Sequence, residues 1–493
     1  MAQYLNQRTV GQTDPRGRLF DPVSQPTIDR RFTPRLGMMS TCHTNLPSSK
    51  AAVFVHAFGC QMNAHEGERL LGMLLDEGYQ EAITPDAADL IVLHTCAVRE
   101  HAVHKVVSEV GRLARLKSVR TALKIGLTGC VAQSDGASLL GRVPGLDFVV
   151  GSRAVARLPS VLRRVATGER VVDVADGEYP ELGTTAVRRD PLRAYVTVIE
   201  GCDKFCSFCI VPYTRGREYS RPAAVIVDEI QALAGAGYRE VTLLGQTVNA
   251  YGRKGRDAGE TEVDFPELLA RVSAIDGIER VRFVTSHPNY LTDELVDAMA
   301  TLPEVCEYMH LPLQAGADAL LRRMNRGYTV DEYVAKVERL RQRVPDVALV
   351  SDFIVGFPGE SEREFQATLE AVEALRFASL FAFKYSPRPH TRAEPWGDPI
   401  PETVKAERLE RLLAAQRRIA DEHNQSLIGT LQEVLVEGVS SVANSHLEGR
   451  TRTHRRMSFP GSAQTGERIT LRVTGIDRGG LVGRIVSKLG DAS

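Results

Sequence analysis

Two sets of three cysteines constrain this chain more than any other feature of its sequence. Cys60, Cys96 and Cys130 stand 36 and 34 residues apart, while Cys202, Cys206 and Cys209 crowd into the run GCDKFCSFC. Iron-sulfur clusters are usually closed by four cysteine thiolates, so each set is one protein ligand short. A missing ligand leaves a coordination position for a substrate or cofactor, the logic that separates open catalytic zinc sites from closed structural ones. The competing readings are small buried hydrophobes for the dispersed set and a zinc site for the compact one. Cys42 and Cys306 have no spacing partner and read as unliganded.

The surroundings of each set decide between these readings. AVFVHAFGC leads to Cys60, DLIVLHTC to Cys96 and KIGLTGC to Cys130, so each cysteine follows a run that reads as a buried parallel strand. Each step between them is one strand-helix-strand unit. GERLLGMLLDEG fits an intervening helix, with Leu70, Met73, Leu74 and Glu77 at helical spacing and Gly78 as a stop. Open parallel sheets gather ligands outside the carboxyl ends of their strands, which brings the three thiols to one edge. Further on, AYVTVIE, EVTLLGQ, RVRFVTS, EYMHLPLQ, ALVSDFIVGF and SLFAFKYS alternate with helical stretches such as DEYVAKVERLRQR and EREFQATLEAVEAL. Six such units fall short of the eight that close a barrel, which predicts an incomplete one. GCDKFCSFC begins where its first strand ends, where such barrels carry their chemistry.

These patterns divide the chain into an α/β protein of several parts. Residues 1–50 hold five prolines and seven Lys/Arg against three Asp, the composition of a disordered tail. Residues 51–166 form the open parallel α/β domain, 167–187 a linker, and 188–424 the partial barrel with a closing helix. In 425–493 the runs QEVLVEG, RMSFPG, RITLRVTGI and LVGRIVS predict a small all-β barrel. No stretch approaches the roughly 18 apolar residues of a membrane span, and no apolar signal core opens the chain. The expectation is a cytoplasmic protein without membrane contact, in a compartment where patterned cysteines bind metal. A formal net charge of -1 excludes a general nucleic-acid binder, so any RNA surface must be local.

C-x3-C-x2-C after the first strand of a partial barrel resembles the signature of the radical S-adenosylmethionine (SAM) superfamily. The resemblance implies that Cys202, Cys206 and Cys209 bind a 4Fe-4S cluster with the cofactor's methionine moiety on the fourth iron, and that Phe208 lies near its adenine. From about residue 51 to 490 the chain is similar to the methylthiotransferases, through FGCQMN (58–63), HTCAVRE (94–100), GCDKFCSFCIVPYTRGREYSRP (201–222), LLGQTVNAYG (243–252), FVTSHP (283–288), LPLQAGAD (311–318) and SDFIVGFPGE (351–360). QMN after Cys60 resembles the MiaB-type tRNA branch rather than the threonylcarbamoyl-adenosine or ribosomal-protein branches. That family implies a radical SAM partial (β/α)6 barrel and a C-terminal RNA-binding barrel called TRAM. It implies methylthiolation of carbon 2 of N6-isopentenyladenosine next to the tRNA anticodon, with SAM and two 4Fe-4S clusters. The second cluster, on Cys60, Cys96 and Cys130, would hold the sulfur to be delivered. The partners implied are tRNA carrying N6-isopentenyladenosine, an electron donor and a sulfur source, and the chain is expected to be a monomer.

The chemistry agrees with a radical route, because the carbon 2 C-H is neither acidic nor electrophilic enough for ordinary acid-base or nucleophilic catalysis. No catalytic residue beyond the cluster ligands stands out. Gln246 and Asn249 end the second strand as candidate ligands of the cofactor's amino-acid group or as strand caps; the superfamily's GGE is absent there. Ser286, His287, Gln314 and Asp352 end later strands as ligands or structural hydrogen-bonders. Arg215 and Arg217 suit phosphate or carboxylate, or ordinary ion pairs. Arg450, Arg452, Arg455 and Arg456 crowd beside Phe459 as candidates for RNA phosphate and base contact. Asparagines usual after GRT in the family are replaced by the Arg452–Arg456 stretch, and His390 and Arg392 also depart from its pattern. Two alternatives remain: the same chemistry on threonylcarbamoyl-adenosine tRNA or a ribosomal protein, and an iron-sulfur electron-transfer module with an RNA-binding barrel.

Overall fold

The computed structural model describes residues 51–96, 101–177, 186–253, 263–440, 446–477 and 480–488. The predicted tail with Cys42, residues 97–100 of HTCAVRE and 178–185 of the linker lie outside the described residues. The described residues divide into two compact units, one reaching Asp190 and including Tyr213–Gly216, the other formed by Pro191–Pro212 and the chain from Arg217.

The first unit is a parallel sheet of β1 (Ala52–Ala57), β2 (Gln80–Glu81), β3 (Leu90–Thr95), β4 (Lys124–Gly129), β5 (Phe148–Gly151) and β6 (Val171–Asp173), in the order β2-β1-β3-β4-β5-β6. All six residues of β3 are buried, as expected of a parallel strand covered on both faces. Val53, Leu70, Leu74, Val92, Phe148 and Val161 meet in its core. The expected helix after β1 begins earlier than its apolar periodicity, at Gln61, with Cys60 at the N-cap position.

In the second unit β7 (Arg193–Thr197) is followed by a small antiparallel pair, β8 (Ile199–Glu200) and β9 (Tyr219–Ser220). The barrel continues through β10 (Glu240–Leu244), β11 (Arg280–Phe283), β12 (Tyr308–His310), β13 (Ala348–Val355) and β14 (Ser379–Lys384). The sheets β11-β10-β7 and β12-β13-β14 are parallel, and a bridge from Val281 to Val305 links β11 to the chain entering β12. Six strands appear where six are expected, with no ladder from β7 to β14 among the described residues. Capping boxes at Thr329 with Glu332 and Ser361 with Glu364 start two of the outer helices.

A 25-residue helix, Glu402–Ser426, leads to a closed barrel of β15 (Leu431–Val439), β16 (Leu447–Thr451), β17 (Arg456–Phe459), β18 (Arg468–Asp477) and β19 (Gly480–Lys488). Sequence reading finds four of these strands and misses β16. LEGRT has two polar charged positions in five and no apolar alternation, and its pairing with β15 and β17 supplies what its composition lacks. Phe459 is fully buried in this barrel's core, so it is not available for base stacking.

Candidate functional site

In the first unit the strand register assembles the dispersed cysteines. Ala57 pairs with His94 and Thr95 with Gly129, so the chain leaves β1, β3 and β4 side by side, carrying Cys60, Cys96 and Cys130. Cys60 stands at the N-cap position of the helix Gln61–Asp76 and Cys130 opens the helix Cys130–Arg142, positions whose dipole favours thiolate. Gly59 has φ +117°, and a Cβ there would lie 2.5 Å from Cys96 Cβ and 3.3 Å from its Sγ. Only glycine admits this approach of one cysteine loop to the next. A hydrogen bond with Cys96 outweighs burial and draws Cys60 below the ordinary thiol range, with Arg215 adding to the effect. Burial pushes Cys130 up, and Arg215 opposes it.

A buried polar chain surrounds these thiols. Arg215 donates both terminal nitrogens to the Glu66 carboxylate, Nη2 to Oε2 at 2.8 Å, and reaches Asn63 Oδ1 at 3.4 Å. His94 Nε2 lies 2.8 Å from Glu66 Oε2, and His94 Nδ1 lies 2.9 Å from Thr128 Oγ1. The carboxylate only accepts, so Nε2 is the donor. Burial alone would raise the Glu66 carboxyl; Arg215 and His94 overcome it and hold the group well below the usual range. Asn63 is fully buried, its Oδ1 accepts from Cys60 Sγ at 3.5 Å, and its Nδ2 has no partner. A buried cation and a spare donor beside three thiols suit an anionic, sulfur-rich group.

In the second unit the compact set lies on a loop with Gly201 and Phe205 at positive φ. The loop is pinned from outside: Ser207 N–H donates to Met324 O at 2.9 Å, Ser207 Oγ to Arg323 O at 2.7 Å, and Asn325 Nδ2 to Phe205 O at 3.0 Å. Cys202 Sγ lies 3.4 Å from Thr247 Oγ1, and Arg326 Nη1 donates to Cys206 Sγ at 3.2 Å. Burial, with Cys206 and Cys202 alongside, pushes Cys209 up to about 12. A cationic cluster core shared by the three thiols would relieve that opposition at Cys209. Among the described residues no three His, Cys, Asp or Glu side chains close on a single ion. Three thiols beside a buried arginine are a donor chemistry that suits a 4Fe-4S cluster, and both sets have it.

The strand ends around this loop carry the other candidates. Phe208 packs edge-on against Phe357 at 6.4 Å. Gln246 Oε1 and Ser286 Oγ are buried without partners, the mark of an absent ligand or water. Thr285 and Gln314 hold positive φ at the ends of β11 and β12, strain of the kind concentrated at functional sites. Asn249 is otherwise committed: its Nδ2 donates to His287 O at 3.0 Å and its Oδ1 accepts from His287 N–H at 2.8 Å. Its amide clamps the next strand end. Burial, with Arg326, Lys204 and Lys336 nearby, pushes His287 down to about 2, and its Nδ1 accepts from Asn289 N–H. Asp352 accepts from His310 Nε2 at 3.1 Å, while His310 Nδ1 accepts from Thr285 N–H.

The remaining arginines separate. Arg215 serves the Cys60 site, and Arg217 forms an ion pair with Asp203 at 2.8 Å. None of Arg450, Arg452, Arg455 and Arg456 is exposed. Arg452 grips Glu307 through two nitrogens, with 2.8 Å from Nε to Oε2 and from Nη2 to Oε1, and also bonds Val305 O. Arg450 pairs with Glu437, Arg455 with Asn424 and Arg456 with Glu448. The fully buried Arg280 and the buried Arg282 of β11 donate to the carbonyls of Arg450, Thr451 and Arg452. The run fastens the C-terminal barrel to the partial barrel. Sequence reading assigned no role to Asn63, Glu66, His94, Arg326 and Tyr328; Asn63, in the QMN after Cys60, and His94, two residues before Cys96, carried a local signal.

Residues 196–372 match the Radical SAM superfamily and 52–151 match Uncharacterized protein family UPF0004. The partial barrel with its three-cysteine loop therefore defines a radical SAM enzyme, a class that uses a 4Fe-4S cluster and SAM. The chain is 43% identical over 448 residues to the tRNA-2-methylthio-N(6)-dimethylallyladenosine synthase of Geobacter sulfurreducens, covering 89% of this chain and 98% of that one. Identity is 44% with the synthase of that name from Myxococcus xanthus (88% and 94% covered) and 46% with that of Anaeromyxobacter dehalogenans (86% and 91%). This chain belongs to the family of those synthases, the MiaB-type methylthiotransferases. Among solved structures, the radical SAM methyltransferase TsrM from Kitasatospora setae shares the fold, with TM-score 0.52, 16% identity, and 70% of this chain and 77% of that one covered.

Proposed function

We propose that this chain adds a methylthio group to carbon 2 of N6-isopentenyladenosine in tRNA, the dimethylallyladenosine of its relatives' names. The observation that carries the reading is the presence on one chain of two thiol triads, each provided with its own buried arginine. A fully ligated electron-transfer protein has no use for two open sites. The cluster on Cys202, Cys206 and Cys209, with SAM, supplies the one-electron chemistry that an unactivated aromatic C-H demands.

The protein's share is placement. Cys60, Cys96 and Cys130 hold a second 4Fe-4S cluster, Arg215 provides the cation that three buried thiolates require, and Asn63 Nδ2 offers a donor to sulfur. Phe208 would lie near the cofactor's adenine, and Gln246, whose buried Oε1 has no partner, would help hold its amino-acid group. Asn249 holds His287 in place rather than touching the cofactor. RNA contact on the C-terminal barrel passes to Arg472 and Arg484, which are exposed and paired across β18 and β19. Like charges placed opposite one another destabilise a sheet unless an anion lies over them. A separate electron donor and sulfur source complete the cycle, which takes place in the cytoplasm; no helix among the described residues is long and apolar enough to cross a membrane.

The test is anaerobic reaction of the reconstituted protein with isopentenylated tRNA, followed by nucleoside mass analysis. A methylthiolated product is expected, and none here with product on another substrate refutes the substrate. Cys206→Ala should lose both SAM cleavage and product, whereas Cys96→Ala keeps cleavage and loses product. Full product from Cys96→Ala refutes the role of the first triad.

A further inference from the structure

Arg326 lies 120 residues from Cys206 in sequence, yet its Nη1 donates to Cys206 Sγ at 3.2 Å. The side chain is buried and every arm of the guanidinium is held: Nε donates to the Tyr328 hydroxyl at 2.8 Å and Nη2 to Pro312 O at 3.0 Å. Tyr328 is fixed in turn by Pro312 O and Leu313 O, at 3.1 and 3.0 Å. None of these partners is a carboxylate. The residue thus brings a full positive charge, in one geometry, to the sulfur of a cluster ligand.

A cluster bound by three thiolates is a net anion, and one-electron reduction adds one more negative charge. A hydrogen bond to a ligand sulfur and an uncompensated cation both favour the more negative state, and both are recognised determinants of cluster potential. We propose that Arg326 is a positioning residue that raises the reduction potential of the cluster at Cys202, Cys206 and Cys209, with Tyr328 aiming it. The electron comes from the external donor and ends on the cluster; Arg326 neither gains nor loses a proton. The inference rests on those three cysteines holding the cluster.

The experiment is an anaerobic redox titration followed by electron paramagnetic resonance, with iron measured per chain. The signal of this cluster is the one that Cys206→Ala lacks; if no reducible signal differs between wild type and Cys206→Ala, the ligand assignment falls and this inference with it. Arg326→Gln should lower the reduced-to-oxidised ratio at the wild-type midpoint at least tenfold, a shift of about 59 mV for one electron. Arg326→Lys, which keeps the charge but loses the fork, should fall between the two. Tyr328→Phe should shift the midpoint in the same direction by less, and it decides the matter if Arg326→Gln fails to hold iron. An unchanged midpoint in iron-replete Arg326→Gln, or in Tyr328→Phe where Arg326→Gln is empty, overturns the proposal. So does weakened SAM binding with an unchanged midpoint, which would make Arg326 a cofactor ligand instead.

Discussion

Gly59→Ala tests the construction of the first thiol site with a single methyl group. The new Cβ would stand 2.5 Å from Cys96 Cβ, while carbon atoms in contact prefer about 3.5–4.0 Å. The two loops must therefore separate by about 1 Å, several times the roughly 0.2 Å within which metal-ligand distances are held. The backbone adds its own cost: φ is +117°, and an L-residue there is strained by at least about 1–2 kcal/mol. Gly78→Ala separates the two effects, because Gly78 has φ +96° and nothing within 4 Å of a Cβ. Two loaded sites correspond to about eight irons per chain. Iron and acid-labile sulfide after anaerobic reconstitution should fall to about half in Gly59→Ala and stay at the wild-type value in Gly78→Ala. SAM cleavage should persist in Gly59→Ala while methylthiolated nucleoside disappears. Wild-type iron content and product in Gly59→Ala would refute the argument that Cys60 and Cys96 share a ligand set at this spacing.

Glu66→Gln leaves the buried Arg215 guanidinium without its carboxylate, a loss of about 3–5 kcal/mol for a broken buried pair, read as faster amide exchange in the helix Gln61–Asp76 rather than from a single unfolding curve of a multidomain chain. The Glu66 carboxyl is depressed in the folded protein, so its contribution is complete above the unfolded value of about 4.3 and is lost only as pH falls through the folded one; exchange in wild type should show no Glu66-dependent change between about pH 6 and 8. In tRNA binding, Arg472→Ala with Arg484→Ala should reduce the salt slope by about 2, close to one unit per phosphate contact. Arg452→Ala should leave that slope unchanged and loosen β16 and β17 by about 2 kcal/mol in amide exchange, since its partner is Glu307.

Much of the architecture was legible because it is written in short-range pattern. Strands buried on both faces read as apolar runs, Gly-Cys at Gly59, Gly129 and Gly201 marks tight exits from strands, and C-x3-C-x2-C is contained in eight residues. What failed was whatever depends on residues distant in sequence. Arg215 lies six residues past Cys209 and reads as part of that loop, yet its carboxylate is 149 residues away, in the helix Gln61–Asp76 of the first unit, to which Tyr213–Gly216 belongs. The Arg450–Arg456 run reads as an RNA face because charge is usually solvated; Glu307, Asn424, Arg280 and Arg282, which turn that strip inward, are far away in sequence. β16 was missed because its stability lies in its neighbours.

The two arginines beside the thiol triads solve the same problem with different residual charge. Three thiolates on a cluster leave a buried negative charge, which needs a nearby cation to be tolerable. Arg215 meets this need while paired with Glu66, which partly offsets its field at Cys60 and Cys130. Arg326 has only a phenol and a backbone carbonyl besides Cys206, so its whole charge acts on the cluster loop. In a low-dielectric interior that difference is large. With clusters on both triads, as proposed, it would favour the extra electron at the Cys202 triad over the Cys60 triad. That ordering would suit the proposed work, in which the Cys202 triad accepts the electron for SAM cleavage and the Cys60 triad carries sulfur.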